Sequence, residues 1–363
     1  ALSEAFEVKT RHWGGVPTYL PREAAPLPME TSPYHTGRMG AHEPLLPALH
    51  QADRILVLGG PGAGKTVAME RLAWELCGAS ESVIPVLLEI YRYDGGPLAP
   101  WVRDSLQATG HLTIPDDATL HAFFQDKHVR GFILADGIDE VDPAHRNALI
   151  EALAQWIGAY PRHPVIVTSC PQDPEWRRLR EAMDRILVIQ PLSNEQVRTT
   201  LAAHLGRPGV ALHNALDARQ RRMSRTPLTL RLIEEAGSAG ESIPETLGAL
   251  YDRFVSRRFQ ADTAHRADVE IPERLKRRAL TDLACAMGER RRCTRDEAIR
   301  AASRQLGGDT ALADAILRAC TRQGLLTGED EVRFVPHAMV QAHFAALALQ
   351  AKATEEWSLN GWK

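Results

Sequence analysis

The stretch Gly59-Gly-Pro-Gly-Ala-Gly-Lys-Thr66 restricts the fold of this chain more than any other. It follows an apolar run, "RILVLG" at 54–59, and precedes a helical pattern over 66–77 in which Met69, Leu72, Ala73 and Leu76 recur at i, i+3, i+4 and i+7. A strand, a glycine-rich turn and a helix in that order place successive backbone N–H groups around an anion, at a helix end whose dipole favours negative charge. The spacing GxxxxGK followed by Thr adds a lysine for the β- and γ-phosphates and a hydroxyl for Mg²⁺. The candidate phosphate-binding residues are therefore Gly59, Gly60, Pro61, Gly62, Ala63, Gly64, Lys65, Thr66 and Val67. No Asn-Lys-x-Asp base-reading motif occurs in the chain, which favours ATP/ADP over a guanine nucleotide.

Four more short apolar runs follow: "VIPVLLEI" (83–90), "GFILAD" (131–136), "PVIVTS" (164–169) and "RILVIQ" (185–190). Short, rich in Val, Ile and Leu and bounded by turn residues, they read as strands buried on both faces. The expected fold class is α/β: a P-loop NTPase doubly wound parallel sheet over 46–192, followed by a helical domain and a winged-helix domain. The helical domain is expected over 193–262, with helices at 193–205, 212–236 broken at Pro227, and 244–260. The third, over 263–351, is expected to run helix, helix, helix, hairpin, helix. Residues 1–45 read as an irregular lead-in, and 352–363 as the possible start of a further region.

At 363 residues the chain exceeds one ordinary core. A net charge of −3 gives no global pull toward nucleic acid or anionic membrane. The five cysteines are scattered without a CxxC pair, which points to a reduced, cytoplasmic setting. No apolar run has the length of a membrane helix and no signal-peptide core is present, so no membrane partner is expected. The chain starts and stops in mid-pattern and is expected to belong to something longer.

The run "ILADGIDEVD" (133–142) supplies the acids. Asp136 ends a strand, at the edge where ligands of such sheets sit, and can hold Mg²⁺ opposite Thr66. Many hydrolytic relatives of this architecture place a Glu directly after that Asp; here the position is Gly137. Water activation then falls to Asp139 or Glu140; the alternative reading, acids favoured at a solvated helix start, weighs less because the phosphate loop supplies a substrate nearby. The candidate catalytic residues are Lys65, Asp136, Asp139 and Glu140, and the metal ligands Thr66 and Asp136.

"DGIDE" after a hydrophobic strand resembles the signature of NACHT domains, signalling NTPases of the STAND class that include NLR-type immune receptors. "VIVTSCP", "VIQPLSNEQV", "RTPLTLRLI", "IPETLGALYDRF" and "RFVPHAMVQAHFAALAL" are similar to further motifs of that family, in the family's order, over about residues 46–350. The resemblance implies that ADP clamps the three domains in an inactive state, that Pro227 packs against adenine, and that His337 touches the β-phosphate. Without it, Pro227 is a helix breaker and His337 a histidine between a strand and a helix. It also implies exchange of ADP for ATP, self-association on activation, an unidentified trigger and a fused or partner effector, with a role in bacterial antiphage (antiviral) immune defence.

One position departs from the family. Its fourth strand usually ends Thr-Ser-Arg, with the arginine on the γ-phosphate, whereas this chain has Thr168-Ser169-Cys170. A thiol offers no cationic fork, so either Arg177, Arg178 or Arg180 substitutes or hydrolysis is slow. As a nucleophile, Cys170 lacks a recognisable His or Asp partner. The basic stretches "RLKRR" (274–278) and "ERRRCTRDE" (289–297) raise the alternative of a DNA-reading STAND regulator, but the third helix of that module is mostly apolar or acidic, so direct nucleic-acid binding is not expected. A generic P-loop ATPase or kinase is the remaining alternative; no acceptor pocket or lid is recognisable for a kinase.

Overall fold

The computed structural model describes residues 22–27, 43–79, 82–108, 114–261, 271–335 and 338–359. They form two compact units, the first running through Gln196 and including Thr226–Leu228, the second holding the rest.

The first unit contains β1 (Glu23–Pro26), β2 (Glu43–Pro44), α1 (Leu45–Leu49), β3 (Arg54–Leu58), α2 (Lys65–Ala79), β4 (Val83–Leu88), α3 (Leu98–Ala108), α4 (Asp117–Gln125), β5 (Arg130–Ala135), α5 (Pro143–Ala159), β6 (Val165–Ser169) and β7 (Arg185–Ile189). Its sheet has the order β2-β1-β7-β3-β6-β5-β4. The five strands from β7 to β4 are parallel, as the apolar runs predict. The α/β class expected from the sequence is the class of the structure.

Residues 23–26 and 43–44 correct the reading of 1–45 as irregular. β1 pairs antiparallel with β7, and β2 with β1. Strands of four and two residues are too short to show a period, and what orders them is the unpaired backbone edge of β7.

Alternation along the strands explains why the runs are apolar throughout. In β3, Leu56 and Leu58 enter the core on one face of the sheet, while Ile55 and Val57 enter the core on the other. Ile133 and Ala135 of β5 likewise oppose Phe132 and Leu134. A strand covered on both sides has no polar face to offer. Leu56 is fully buried, so Leu56→Ala is expected to cost about 2–5 kcal/mol of unfolding free energy, read by urea denaturation. A loss under about 1 kcal/mol would contradict the two-faced burial.

The second unit takes in most of α6 (Asn194–Leu205), then α7 (Arg207–Ala215), α8 (Ala218–Met223), α9 (Pro227–Ser238), α10 (Leu247–Ala261), α11 (Glu273–Met287), β8 (Cys293–Thr294), α12 (Arg295–Ser303), α13 (Thr310–Arg322), β9 (Leu326–Thr327), β10 (Glu331–Phe334) and α14 (Ala338–Leu359). The helix expected over 212–236 is divided twice. Asp217 caps α8 and forms a reciprocal capping box with Gln220, which starts a new helix where apolar spacing alone would continue the old one. Pro227 then opens α9, at a helix start where its missing N–H costs no hydrogen bond.

From α11 onward the order is helix, strand, helix, helix, hairpin, helix, with β10 pairing antiparallel to both β8 and β9. The expected order is present, plus the two-residue β8. Four arginines of the basic stretches are paired within the unit: Arg277 with Asp252 and Glu273, Arg290 with Glu297, Arg292 with Glu331 and Arg295 with Asp314. Among the described residues, no helix is long and apolar enough to cross a membrane.

Candidate functional site

Parallel register sets the site. Leu58 lies opposite Ser169 and Ala135 opposite Val167, so β3, β6 and β5 end side by side at the carboxyl edge of the sheet. Ligands of open α/β sheets bind outside that edge. β6 lies between the strand that leads into the glycine-rich loop and the strand that delivers Asp136.

The loop occupies Gly59–Gly64, and α2 begins at Lys65. Gly62 and Gly64 have φ of 73° and 94°, a region that a Cβ penalises. Gly62 is also crowded: a Cβ there would lie 2.8 Å from the Leu228 Cβ. The loop is tied to β6 by the Gly59 N–H, which donates to the Ser169 carbonyl at 3.0 Å. Lys65 Nζ donates to the Gly59 carbonyl at 2.8 Å, which folds the ammonium back over the loop. Ala63 and Val67 are half-buried, and Gly60 and Pro61 complete the turn.

Asp136 accepts two short hydrogen bonds. Thr66 Oγ1 donates to Oδ2 at 2.6 Å, and Thr168 Oγ1 donates to Oδ1 at 2.6 Å. The Thr168 oxygen in turn accepts the Gly137 N–H at 2.8 Å. The proposed metal acid and the proposed metal hydroxyl are thus in contact although 70 residues apart in sequence. Thr168, fully buried near the end of β6, is a member of this hydrogen-bonded group that sequence reasoning did not single out. Its signal was a hydroxyl at the end of an otherwise apolar strand.

Gly137 explains itself. Its φ is 84°, and a Cβ would meet the Glu140 Cγ at 3.3 Å. A carboxylate directly after Asp136 would require a left-handed non-glycine residue, at about 1–2 kcal/mol. The left-handed turn instead swings the chain into a three-ten turn over Ile138–Glu140, which carries the next two acids. In that turn Asp139 Oδ1 is buried without a hydrogen-bond partner, and so is Ser169 Oγ at the end of β6. Each such group costs about 1–3 kcal/mol, and native folds tolerate them chiefly where a ligand, water or ion completes them.

The Cys170 thiol lies beside these acids. Burial pushes its pKa up, the Gln172 contact and Lys65 oppose that, and Asp139 and Asp173 add to it. Sγ donates to Gln172 Oε1 at 2.6 Å. A buried, protonated thiol is neither a nucleophile nor a cation. Arg178 does not replace the missing arginine: its guanidinium pairs with Asn147, Glu151 and Glu175. The Arg177 guanidinium lies 5.8 Å from the Trp176 ring centroid.

Pro227 is brought to the loop. Its Cγ is 3.9 Å from where a Gly64 Cβ would lie, and the Leu228 N–H donates to the Gly62 carbonyl at 3.4 Å. His337 lies outside the described residues. Thr66 and Asp136 are hard oxygen donors, as Mg²⁺ requires. Among the described residues no three His, Cys, Asp or Glu cluster as a metal cage, so a magnesium ion here would take its other ligands from phosphate and water.

No family model matches the chain, and no curated protein is significantly similar to it. Solved structures do show likeness. Cdc6p from Pyrobaculum aerophilum is 12% identical, with 92% of this chain and 97% of that one covered and a TM-score of 0.40. A STAND (signal transduction ATPase with numerous domains) protein with a tetratricopeptide repeat sensor, from Pyrococcus horikoshii, is 10% identical at a TM-score of 0.42; 84% of this chain matches 42% of that one, so this chain spans less than half its length. A Walker-type ATPase of Pyrococcus abyssi is 13% identical over 83% of this chain and 93% of its own, with a TM-score of 0.37. At these scores the superpositions are partial, and what the chain does rests on its own residues.

Proposed function

We propose that this chain is a nucleotide-dependent switch of the NACHT/STAND kind, which binds ATP/ADP with Mg²⁺ and hydrolyses ATP slowly. The observation that carries the reading is the hydrogen-bonded run Thr66–Asp136–Thr168, set between a glycine-rich loop and an acid turn with an unpaired Asp139 oxygen.

The loop's backbone N–H groups hold the phosphates, and Lys65 exchanges the Gly59 carbonyl for a phosphate oxygen. Thr66 and Asp136 are the residues that would hold Mg²⁺, which when bound would neutralise phosphate charge. Thr168 keeps Asp136 oriented. Asp139 and Glu140 position the attacking water and accept its proton. Residue 170 supplies no positive charge to the γ-phosphate, and turnover is slow for that reason. Pro227, beside Gly64, lines the nucleotide.

Around this engine the remaining expectations stand as proposals: a helical module over 193–262, a winged-helix module over 263–351 with His337 sensing the β-phosphate, and the start of a sensor at 352–363. ATP-dependent self-association, a separate trigger and effector, a cytoplasmic setting and antiphage defence belong to the same reading. DNA reading has less support. α13 turns Ala313, Ile316, Leu317, Ala319 and Cys320 inward, and its Arg318 pairs with Asp314 at 2.6 Å.

Native mass measured with ADP, with a non-hydrolysable ATP analogue and with neither tests the proposal. The expected result is bound nucleotide with ADP and a higher-mass species with the analogue. No bound nucleotide and one unchanging mass under all three conditions would overturn it.

A further inference from the structure

Arg146 stands in the first turns of α5, outside every motif named above. Its Nε donates to the Val141 carbonyl at 2.9 Å and its Nη2 to the Asp139 carbonyl at 3.1 Å. Its Nη1 faces Asp173 Oδ2 at 3.6 Å, with side-chain exposures of 16% and 6% for the pair. That Asp173 oxygen is buried and accepts no hydrogen bond, while its fellow Oδ1 accepts the Glu175 N–H. The Asp173 N–H donates to the Cys170 carbonyl at 3.1 Å, which ties it to the end of β6. Three nitrogens of one planar group therefore reach the middle of the acid turn, the residue that follows the turn and the segment after β6.

We propose that Arg146 is a positioning residue for hydrolysis, fixing the turn that carries Asp139 and Glu140 at a set distance from the end of β6. The inference rests on the ATPase reading given above. Arg146 touches no reacting atom; it acts on the backbone of the residues that do. A three-residue turn entered through a left-handed glycine has little rigidity of its own, and Arg146 ties the Asp139 carbonyl within it and the Val141 carbonyl just beyond it. A displacement of about 1 Å in a general base can cost about 100-fold in rate. Because the guanidinium is a rigid fork, a lysine at this position would keep the charge near Asp173 but could not span the two carbonyls.

The test uses the full chain with Arg146→Met, Asp173→Asn and the double variant, followed by ATP turnover, ADP affinity and thermal unfolding. Arg146→Met is expected to lower kcat about 10–100-fold while KM and the ADP Kd stay within about two-fold. It also leaves Asp173 buried and uncompensated, so Tm should fall, and Asp173→Asn in the same chain should restore Tm but not kcat. Recovery of kcat in the double variant would overturn the proposal, since Arg146 would then serve only to neutralise Asp173. So would an unchanged kcat in Arg146→Met, or equal losses in kcat and nucleotide affinity. If Arg146→Met does not fold, Arg146→Lys is expected to show the same kcat loss, and wild-type turnover in that variant overturns the idea. Absence of ATP turnover in the wild-type chain, relative to Lys65→Ala, sinks the ATPase reading and this inference together. Wild-type turnover that survives Arg146→Met sinks this inference alone.

Discussion

Lys65→Ala is expected to abolish nucleotide retention and ATP turnover together, with at least a 100-fold loss in affinity, read by calorimetric titration of ADP and ATP. The magnitude follows from the position. Lys65 is the positive side chain folded back over the glycine-rich loop, its Nζ 2.8 Å from the Gly59 carbonyl. Without it, triphosphate charge is met by backbone dipoles and one divalent cation. A charge-assisted contact in a partly desolvated site contributes about 1.5–3 kcal/mol, and a factor of 100 is about 2.7 kcal/mol. Folding should be unaffected, since the ammonium has one backbone partner within its own loop and no place in either core. A variant that binds nucleotide as the wild type does would remove the basis of the proposed function.

The second large effect runs the other way. Cys170→Arg is expected to raise the single-turnover rate of ATP hydrolysis by about 10-fold or more, because an arginine that reaches the γ-phosphate can contribute factors of 10³–10⁵. Residue 170 follows the last residue of β6, and its thiol senses both Lys65 and Asp139 electrostatically. The new guanidinium would enter a buried position, with the unpaired Asp139 Oδ1 among the acceptors in the site. Affinity for ADP should change little, since the gain is confined to the transferring phosphate. A rate that falls or stays level, with nucleotide still bound, would show that the missing arginine is not what limits turnover.

The sheet and the loop were legible because their signals are local and physically overdetermined. A strand buried on two faces cannot alternate, and a phosphate loop cannot dispense with its glycines, so 54–77 could be read at sight. The acids of 136–140 were legible as a cluster at the end of a strand, but the reason Gly137 interrupts them was not. It lies in a left-handed φ of 84°, which a sequence does not display. β1 and β2 were missed because their order comes from a neighbouring strand rather than from any pattern of their own. The breaks at Asp217 and Pro227 differ in the same way: a proline announces itself, whereas the Asp217–Gln220 box outweighs an apolar spacing that continues through it. Arg146 was invisible for a geometric reason. It lies seven positions after Asp139 across a turn and a helix start, a spacing with no period, and Asp173 enters from beyond the next strand.

Placing β6 between β3 and β5 has a consequence for how such a molecule can be adjusted. The residues proposed to grip the nucleotide stand at the end of one strand, the proposed metal acid at the end of another, and residue 170 at the end of the strand interposed between them. A substitution at that middle position can alter how long the triphosphate persists without altering how firmly either nucleotide is held. On the proposed reading, dwell time and affinity are therefore separately adjustable, and a timer of that kind is lengthened or shortened by one side chain while the threshold for loading it stays where it was.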